Sequence, residues 1–163
     1  MQGKFDDYNI ILVNLDGLRQ DRLDICKNFK EICKNSLYFP NMISVAPYTL
    51  AAHHSIITGL YPSEHGVDAY HNMFKFKNKV TTISEVLKKE GFFTACNISS
   101  KSLMTEKGFE KFQIFDEYKI NYKSEHKKLL SELSNKKKFF LFLHYDKLHT
   151  HLVKDVLKKY NET

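Results

Sequence analysis

Tryptophan is absent, proline occurs three times and glycine six times in 163 residues. That scarcity excludes collagen-like and Pro/Gly-rich disordered architectures, and it leaves little room for long linkers. Cysteine is equally sparse: Cys26, Cys33 and Cys96 are an odd set, which excludes a disulfide framework and fits buried, reduced thiols in a reducing compartment. No apolar run approaches the ~18 residues of a membrane helix. The run from Ile10 to Leu15 is interrupted by Asn14. The opening residues carry Asp6 and Asp7 rather than a basic end followed by an apolar core, so no secretory signal is read there and a cytoplasmic location is expected.

What is present describes an ordinary globular chain. The sequence is 42% hydrophobic, 13% aromatic and 27% charged, with thirteen Phe to build a core. The net charge of +6 is carried mainly by lysines after Lys101, in the runs Lys127-Lys128, Lys136-Lys137-Lys138 and Lys158-Lys159. Runs of this kind solvate a face or complement helix C-termini. Without arginine or interleaved surface aromatics they do not make a nucleic-acid interface, and none is expected.

Periodicity alternates between strand and helix. Residues 8–15 form a β-branched, nearly continuous apolar run closed by Asp16-Gly17, which predicts a strand buried on both faces. Residues 22–36 place Leu23, Cys26, Phe29, Ile32 and Cys33 at helical spacing, a face expected to lie on the sheet with both cysteines buried. Residues 37–39 read as a short extended piece. Thr49 follows Pro47 and begins a short helix that Gly59 ends. Thr82-Ile-Ser-Glu85 is a capping box opening a further helix, with Ile83, Val86 and Leu87 inward and Gly91 past its end.

Residues 92–99 predict a second strand. Residues 121–138 predict a polar surface helix with Leu129, Leu130 and Leu133 on one face, and residues 139–145 a third strand. Residues 152–163 form a lysine-rich helix or tail. The order β-α-α-β-α-β implies an α/β fold: a mostly parallel sheet with helices on both faces, whose ligands bind beyond the carboxyl ends of the strands. Asp16, residues 97–100 and residues 146–151 fall at those ends.

An aspartate closing one strand, a threonine opening a helix and a His-rich stretch after another strand are the parts of a metal-assisted ester cleaver. The carboxylate offers a hard oxygen ligand, the hydroxyl a nucleophile, and imidazole a group to stabilise a developing anion. Taken singly, such an aspartate is commonly a turn former and such a threonine a cap.

The longer text adds to these. Ala46-Pro-Tyr-Thr-Leu-Ala-Ala-His-His-Ser-Ile-Ile-Thr-Gly-Leu-Tyr-Pro-Ser-Glu-His-Gly-Val67 resembles the nucleophile segment of the sulfatase family, in the alkaline-phosphatase superfamily. Residues 9–22 resemble its first strand and metal-binding aspartate, and residues 82–109 and 139–150 continue the likeness. The resemblance implies a single truncated sulfatase-like domain over residues 1–163, with the C-terminal half missing.

It further implies Asp16 as a ligand of a divalent metal (Ca, Mg, Mn or Zn), Thr49 as nucleophile, His53 beside it, and His149 facing the bound sulfate or phosphate. The Cys, Pro and Arg of the formylglycine motif are absent from Thr49-Leu-Ala-Ala-His53, which excludes formylglycine chemistry there. Asp16 is followed by Gly17 rather than a second aspartate, and Ser99, not Lys101, occupies the register of the family's active-site lysine. The later Ser-Asp-His-Gly-like segment with the remaining ligands is missing, so a second chain is a candidate to supply them.

The expected activity is hydrolysis of sulfuric or phosphoric esters through a covalent threonine ester. A phospho-group transferase, a non-catalytic anion-binding fragment of the same fold and an acidic-polymer binder remain alternatives. His54, His65, His71 and His126 read as packing, loop or solvated residues, Arg19 and Asp21 as a pair shaping the loop, and Asp146 as structural. A sheet edge left open predicts association.

Overall fold

The structure, a computed structural model, describes residues 8–68 and 75–148. Strands β1 (Ile10–Leu15), β2 (Phe93–Ile98), β3 (Lys111–Ile114) and β4 (Phe139–Tyr145) pair in the order β1-β4-β2-β3, and every pairing is parallel. Parallel neighbours need crossovers. Helices α1 (Lys27–Lys34), α2 (Thr49–Thr58), α3 (Pro62–His65), α4 (Ile83–Lys89) and α5 (Tyr122–Leu133) lie in the connecting segments. The mostly parallel α/β architecture is as the sequence implies.

The pleat of β4 divides the core in two. Phe140 and Phe142 point to one side, where Ile57 of α2, Leu87 of α4, Phe92, Cys96, Ile98 and Met104 surround them. Leu141 and Leu143 point to the other, against Leu129 and Leu133 of α5. Each of these four β4 side chains is at most 5% exposed, and burial of a residue of that size is worth roughly 2 kcal/mol. Cys96 lies in the first layer, and burial pushes its thiol pKa up.

Several elements depart from expectation, each for a physical reason. β1 is one of the two edge strands among the described residues, and α5 packs over β2 and β4 instead. Ile10 and Leu12 meet the core, whereas Ile11 and Val13 are 46% and 51% exposed, so β1 is not buried on both faces. Residues 22–36 are not one helix on the sheet. A 3-10 helix over Gln20–Ile25 precedes α1, which packs on that turn and buries none of its residues; Ile32 is exposed, and Cys26 and Cys33 are only half-buried.

In α4 the inward residues are Ser84 and Leu87, while Ile83 and Val86 are exposed. The rotation is set by polar anchoring. Ser84 Oγ and Thr82 Oγ1 both donate to the Lys107 carbonyl, at 2.7 and 3.1 Å, and turn that side of the helix toward residues 107–108. Leu130 faces partly outward from α5. β3 lay unrecognised because it is four residues long and mixes Lys111 and Gln113 with its apolar pair. The segment 37–39 forms no strand, and Leu37 and Phe39 are exposed.

The capping box is as read. Glu85 N–H donates to Thr82 Oγ1 at 3.3 Å and Thr82 N–H to Glu85 Oε2 at 3.0 Å. Gly108, at φ +83°, lies under this turn, where a Cβ would stand 2.5 Å from the Glu85 amide nitrogen. Gly108→Ala combines left-handed strain with a backbone clash and is expected to lower unfolding stability by about 2 kcal/mol or more, against about 1 kcal/mol for Thr82→Ala. Urea unfolding of the two variants checks the order; an Ala at 108 costing no more than the lost cap would contradict the close approach.

Candidate active site

The site forms where β1 and β4 end. Ile10, Leu12 and Asn14 alternate onto the α2 side of the sheet, and Asp16 continues the alternation just past the strand. The ladder reaches it too, because Asp16 N–H donates to the Tyr145 carbonyl at 2.8 Å. Gly17, at φ 77°, then turns the chain away.

Thr49 is the first residue of α2. Its N-cap, Tyr48, contributes no side-chain cap, so the first amides of the helix face the same opening with the positive end of the helix dipole. Thr49 Oγ1 donates to Asp16 Oδ2 at 2.8 Å, across 33 residues of sequence. The two side chains line an open cavity of about 510 Å³ together with Asn14, Gly17, Ser44 and Tyr48. The two residues singled out as metal ligand and nucleophile are therefore in direct contact.

His53 lies one turn along α2, behind this cavity. It is fully buried, with its ring edge against Phe142 and His144 at 5.2 and 4.9 Å. Asn14 Nδ2 donates to its Nε2 at 2.7 Å, an arrangement that requires an unprotonated Nε2. Burial, reinforced by neighbouring His144, pushes its pKa down to about 3. His53 is thus a neutral ring bracing Asn14 and β4. His149 lies outside the described residues, as do His71 and residues 152–163.

The sequence reading missed His144. It is 1% exposed on β4, on the same side as Phe140 and Phe142, and its Nε2 stands 3.4 Å from Asp16 Oδ2. The available signal was the strand alternation, which places residue 144 on the α2 side opposite Asn14. Among the described residues no three His, Cys, Asp or Glu side chains converge as a metal cluster. Asp16, with the Thr49 hydroxyl beside it at the cavity, offers one oxygen donor to a divalent cation, and His144 stands behind that carboxylate.

The other histidines are structural. His54 is buried, accepts the Thr105 amide hydrogen at Nε2 (3.2 Å) and donates from Nδ1 to the Leu50 carbonyl (2.7 Å). His65 is fully buried between Ser55 Oγ and the Val67 amide. His126 is not solvated: it is 6% exposed under α5, bonded to Tyr145 Oη at 2.6 Å and Asn97 Oδ1 at 3.1 Å. Beside it Tyr122 Oη donates to Asp146 Oδ1 at 2.6 Å. Arg19 and Asp21 form an exposed bidentate pair at 2.8 and 2.7 Å.

Desolvation lowers the pKa of His53, His54, His65 and His126 below the ordinary value. A histidine held neutral when folded binds its proton first in the unfolded chain. Its contribution is therefore complete above pH ~6.5 and is lost as pH falls below that value toward the folded pKa, at up to about 1.4 kcal/mol per pH unit per residue. Urea unfolding at pH 7.5 and 5.5 is expected to show a marked loss at the lower pH, and a smaller loss in His53→Leu. Equal losses in both proteins would contradict a neutral His53.

Comparison with known proteins bears on the fold and the family. The model of the type I phosphodiesterase / nucleotide pyrophosphatase family matches residues 10–128. An uncharacterised pyrophosphatase/phosphodiesterase of Schizosaccharomyces pombe is 34% identical over 61 residues, which is 36% of this chain and 13% of that protein. Murine ectonucleotide pyrophosphatase / phosphodiesterase 5 superposes with a TM-score of 0.67 at 18% identity, over 85% of this chain and 43% of that one. An inactive threonine-to-alanine variant of the murine protein in complex with AMP gives 0.66 at 18% identity, over 84% and 42%. The human counterpart gives 0.66 at 16%, over 85% and 43%. The chain spans less than half the length of these solved structures. The sulfatase resemblance thus reached the superfamily, and the family model selects another branch of it. The chain belongs to the type I phosphodiesterase / nucleotide pyrophosphatase family, within the alkaline-phosphatase superfamily.

Proposed function

We propose that this chain is the nucleophile-bearing part of a hydrolase of phosphoric esters, with Thr49 as nucleophile and Asp16 as a ligand of a divalent cation. The observation that carries the reading is the 2.8 Å hydrogen bond from Thr49 Oγ1 to Asp16 Oδ2 at the mouth of a polar cavity. Family membership supports phosphoric over sulfuric esters. The murine relative, whose threonine-to-alanine variant is inactive and holds AMP, supports a threonine-dependent reaction on a nucleotide-like ester.

In this mechanism Thr49 Oγ1, oriented by its hydrogen bond to Asp16 Oδ2, releases its proton to solvent in the open cavity and attacks phosphorus in line with the leaving alcohol or phosphate, which departs with a proton taken from solvent. The ester bond to the leaving group breaks as the threonine–phosphorus bond forms, leaving a phosphothreonine that water resolves. The uncapped amides at the start of α2 face the phosphoryl oxygens and stabilise their charge. A divalent cation, for which Ca, Mg, Mn and Zn are the candidates, would be held by Asp16 together with further donors and would supply Lewis-acid stabilisation of the phosphoryl oxygens when bound. His53 supports Asn14 from beneath and does not touch substrate. His149 is proposed to stabilise the transferred group.

The start of α2, which has no side-chain cap, carries a second reading, an anion pocket without turnover. One set of assays separates the two. With bis(p-nitrophenyl) phosphate and Mn²⁺ or Zn²⁺, the wild-type chain is expected to turn over, Thr49→Ala to lose at least about a thousandfold, and a quenched reaction to yield a phosphorylated Thr49 peptide. Turnover surviving in Thr49→Ala would overturn the nucleophile assignment. AMP binding with no turnover would leave the anion pocket.

A further inference from the structure

Asp16 is held from two sides. The Thr49 hydroxyl donates to Oδ2 at 2.8 Å, and His144 Nε2 stands 3.4 Å from the same oxygen. An ionised carboxylate only accepts, so the nitrogen turned toward it carries the hydrogen. The imidazole is held in that orientation. It is 1% exposed, on the central strand, with His53 edge-on at 4.9 Å and Ser99 Oγ 3.4 Å from Nδ1. Ser99 in turn hydrogen-bonds to Asp146, which the Tyr122 hydroxyl holds at 2.6 Å. A polar chain therefore runs along the carboxyl edge of the sheet from α5 to the start of α2.

We propose that His144 is a positioning residue that fixes the carboxylate plane of Asp16 through an Nε2–H···Oδ2 hydrogen bond, with Ser99 and Asp146 setting the imidazole. His144 does not line the cavity, so it acts through Asp16. Its importance follows from the reaction. The Thr49 hydrogen bond disappears when the oxygen bonds to phosphorus, and His144 is a donor that remains to keep the carboxylate aimed. A carboxylate that need not reorient costs less at that moment. The consequence for the cation rests on the proposed role of Asp16; the hydrogen bond itself does not.

Long-range ¹H–¹⁵N correlation on the full chain reads the imidazole proton directly. The expected spectrum has His144 protonated at Nε2, with resonances that move in Asp16→Ala, while His54, far from the carboxylate, stays as it is. A proton on Nδ1 alone, or His144 resonances indifferent to Asp16→Ala, would overturn the inference without any variant at 144. Calorimetry with Mn²⁺ then reads the consequence. Affinity is expected to vanish in Asp16→Ala, to fall about ten- to a hundredfold in His144→Leu, and to recover largely in His144→Gln, which restores a side-chain N–H. Wild-type affinity in His144→Leu would overturn positioning of the cation ligand. Mn²⁺ binding that is absent from wild type, or unaltered in Asp16→Ala, sinks the ligand role of Asp16 and leaves the imidazole spectrum to decide the hydrogen bond.

Discussion

The register of β4 between β1 and β2 is the constraint on which everything else in this molecule depends. Pairing Ile10 with Phe140 and Phe93 with Phe139 sends Phe140, Phe142 and His144 to the α2 side and Leu141, Leu143 and Tyr145 to the α5 side. A slip of one residue would exchange those sets. The two aromatic rings would then meet Leu129 and Leu133, and the imidazole would leave Asp16. Packing and site chemistry are thus specified by the same choice. The site gains rigidity because the polar groups at the end of the strand cannot move without disturbing the apolar groups in its middle.

That dependence explains what was legible in the sequence. β4 is a seven-residue strand opening on five consecutive apolar residues, buried up to Tyr145, and its limits are those read from residues 139–145. Thr82 and Glu85 are a local code that needs no tertiary partner. Asp16 and Thr49 were legible because each ends or begins an element where ligands bind in a parallel sheet, and because the segments around them resemble the first strand and nucleophile segment of the sulfatase family. The parts that misled are those whose partner is not local. Ile11 and Val13 have the composition of an interior strand, yet only the position of β1 in the sheet decides their exposure. Ile32, Cys26 and Cys33 have the spacing of a sheet-facing helix, and spacing cannot say whether a sheet lies beneath. His144 and His126 are invisible as contacts until strand parity and the placement of α5 are known.

The histidines illustrate how a polar residue type can serve as core. His53 and His54 occupy adjacent positions on α2 and point to different places, one to Asn14 and the other to the Leu50 carbonyl and the Thr105 amide. Each ring fills apolar volume while directing a nitrogen at a particular donor or acceptor, which aliphatic side chains of similar size do not provide. Tyr122 and Asp146 do the same on the opposite side of the sheet. The polar edge of the fold is thereby tied together by directional bonds where the hydrophobic layers thin out.

The long reach between Asn9 and Phe139 has a kinetic consequence. Phe139 N–H donates to the Asn9 side chain across 130 positions, and β1 meets β4 over a comparable separation, whereas β2, β3, α5 and β4 follow one another within about a third of the chain. Contacts close in sequence form with less loss of loop entropy than distant ones. The later strands can therefore nucleate among themselves, and β1 closes the largest loop when it docks. Because Asp16 travels with β1, the carboxylate, hydroxyl and imidazole come together at that closing event. Docking of β1 is thus what brings Asp16 to Thr49 and His144.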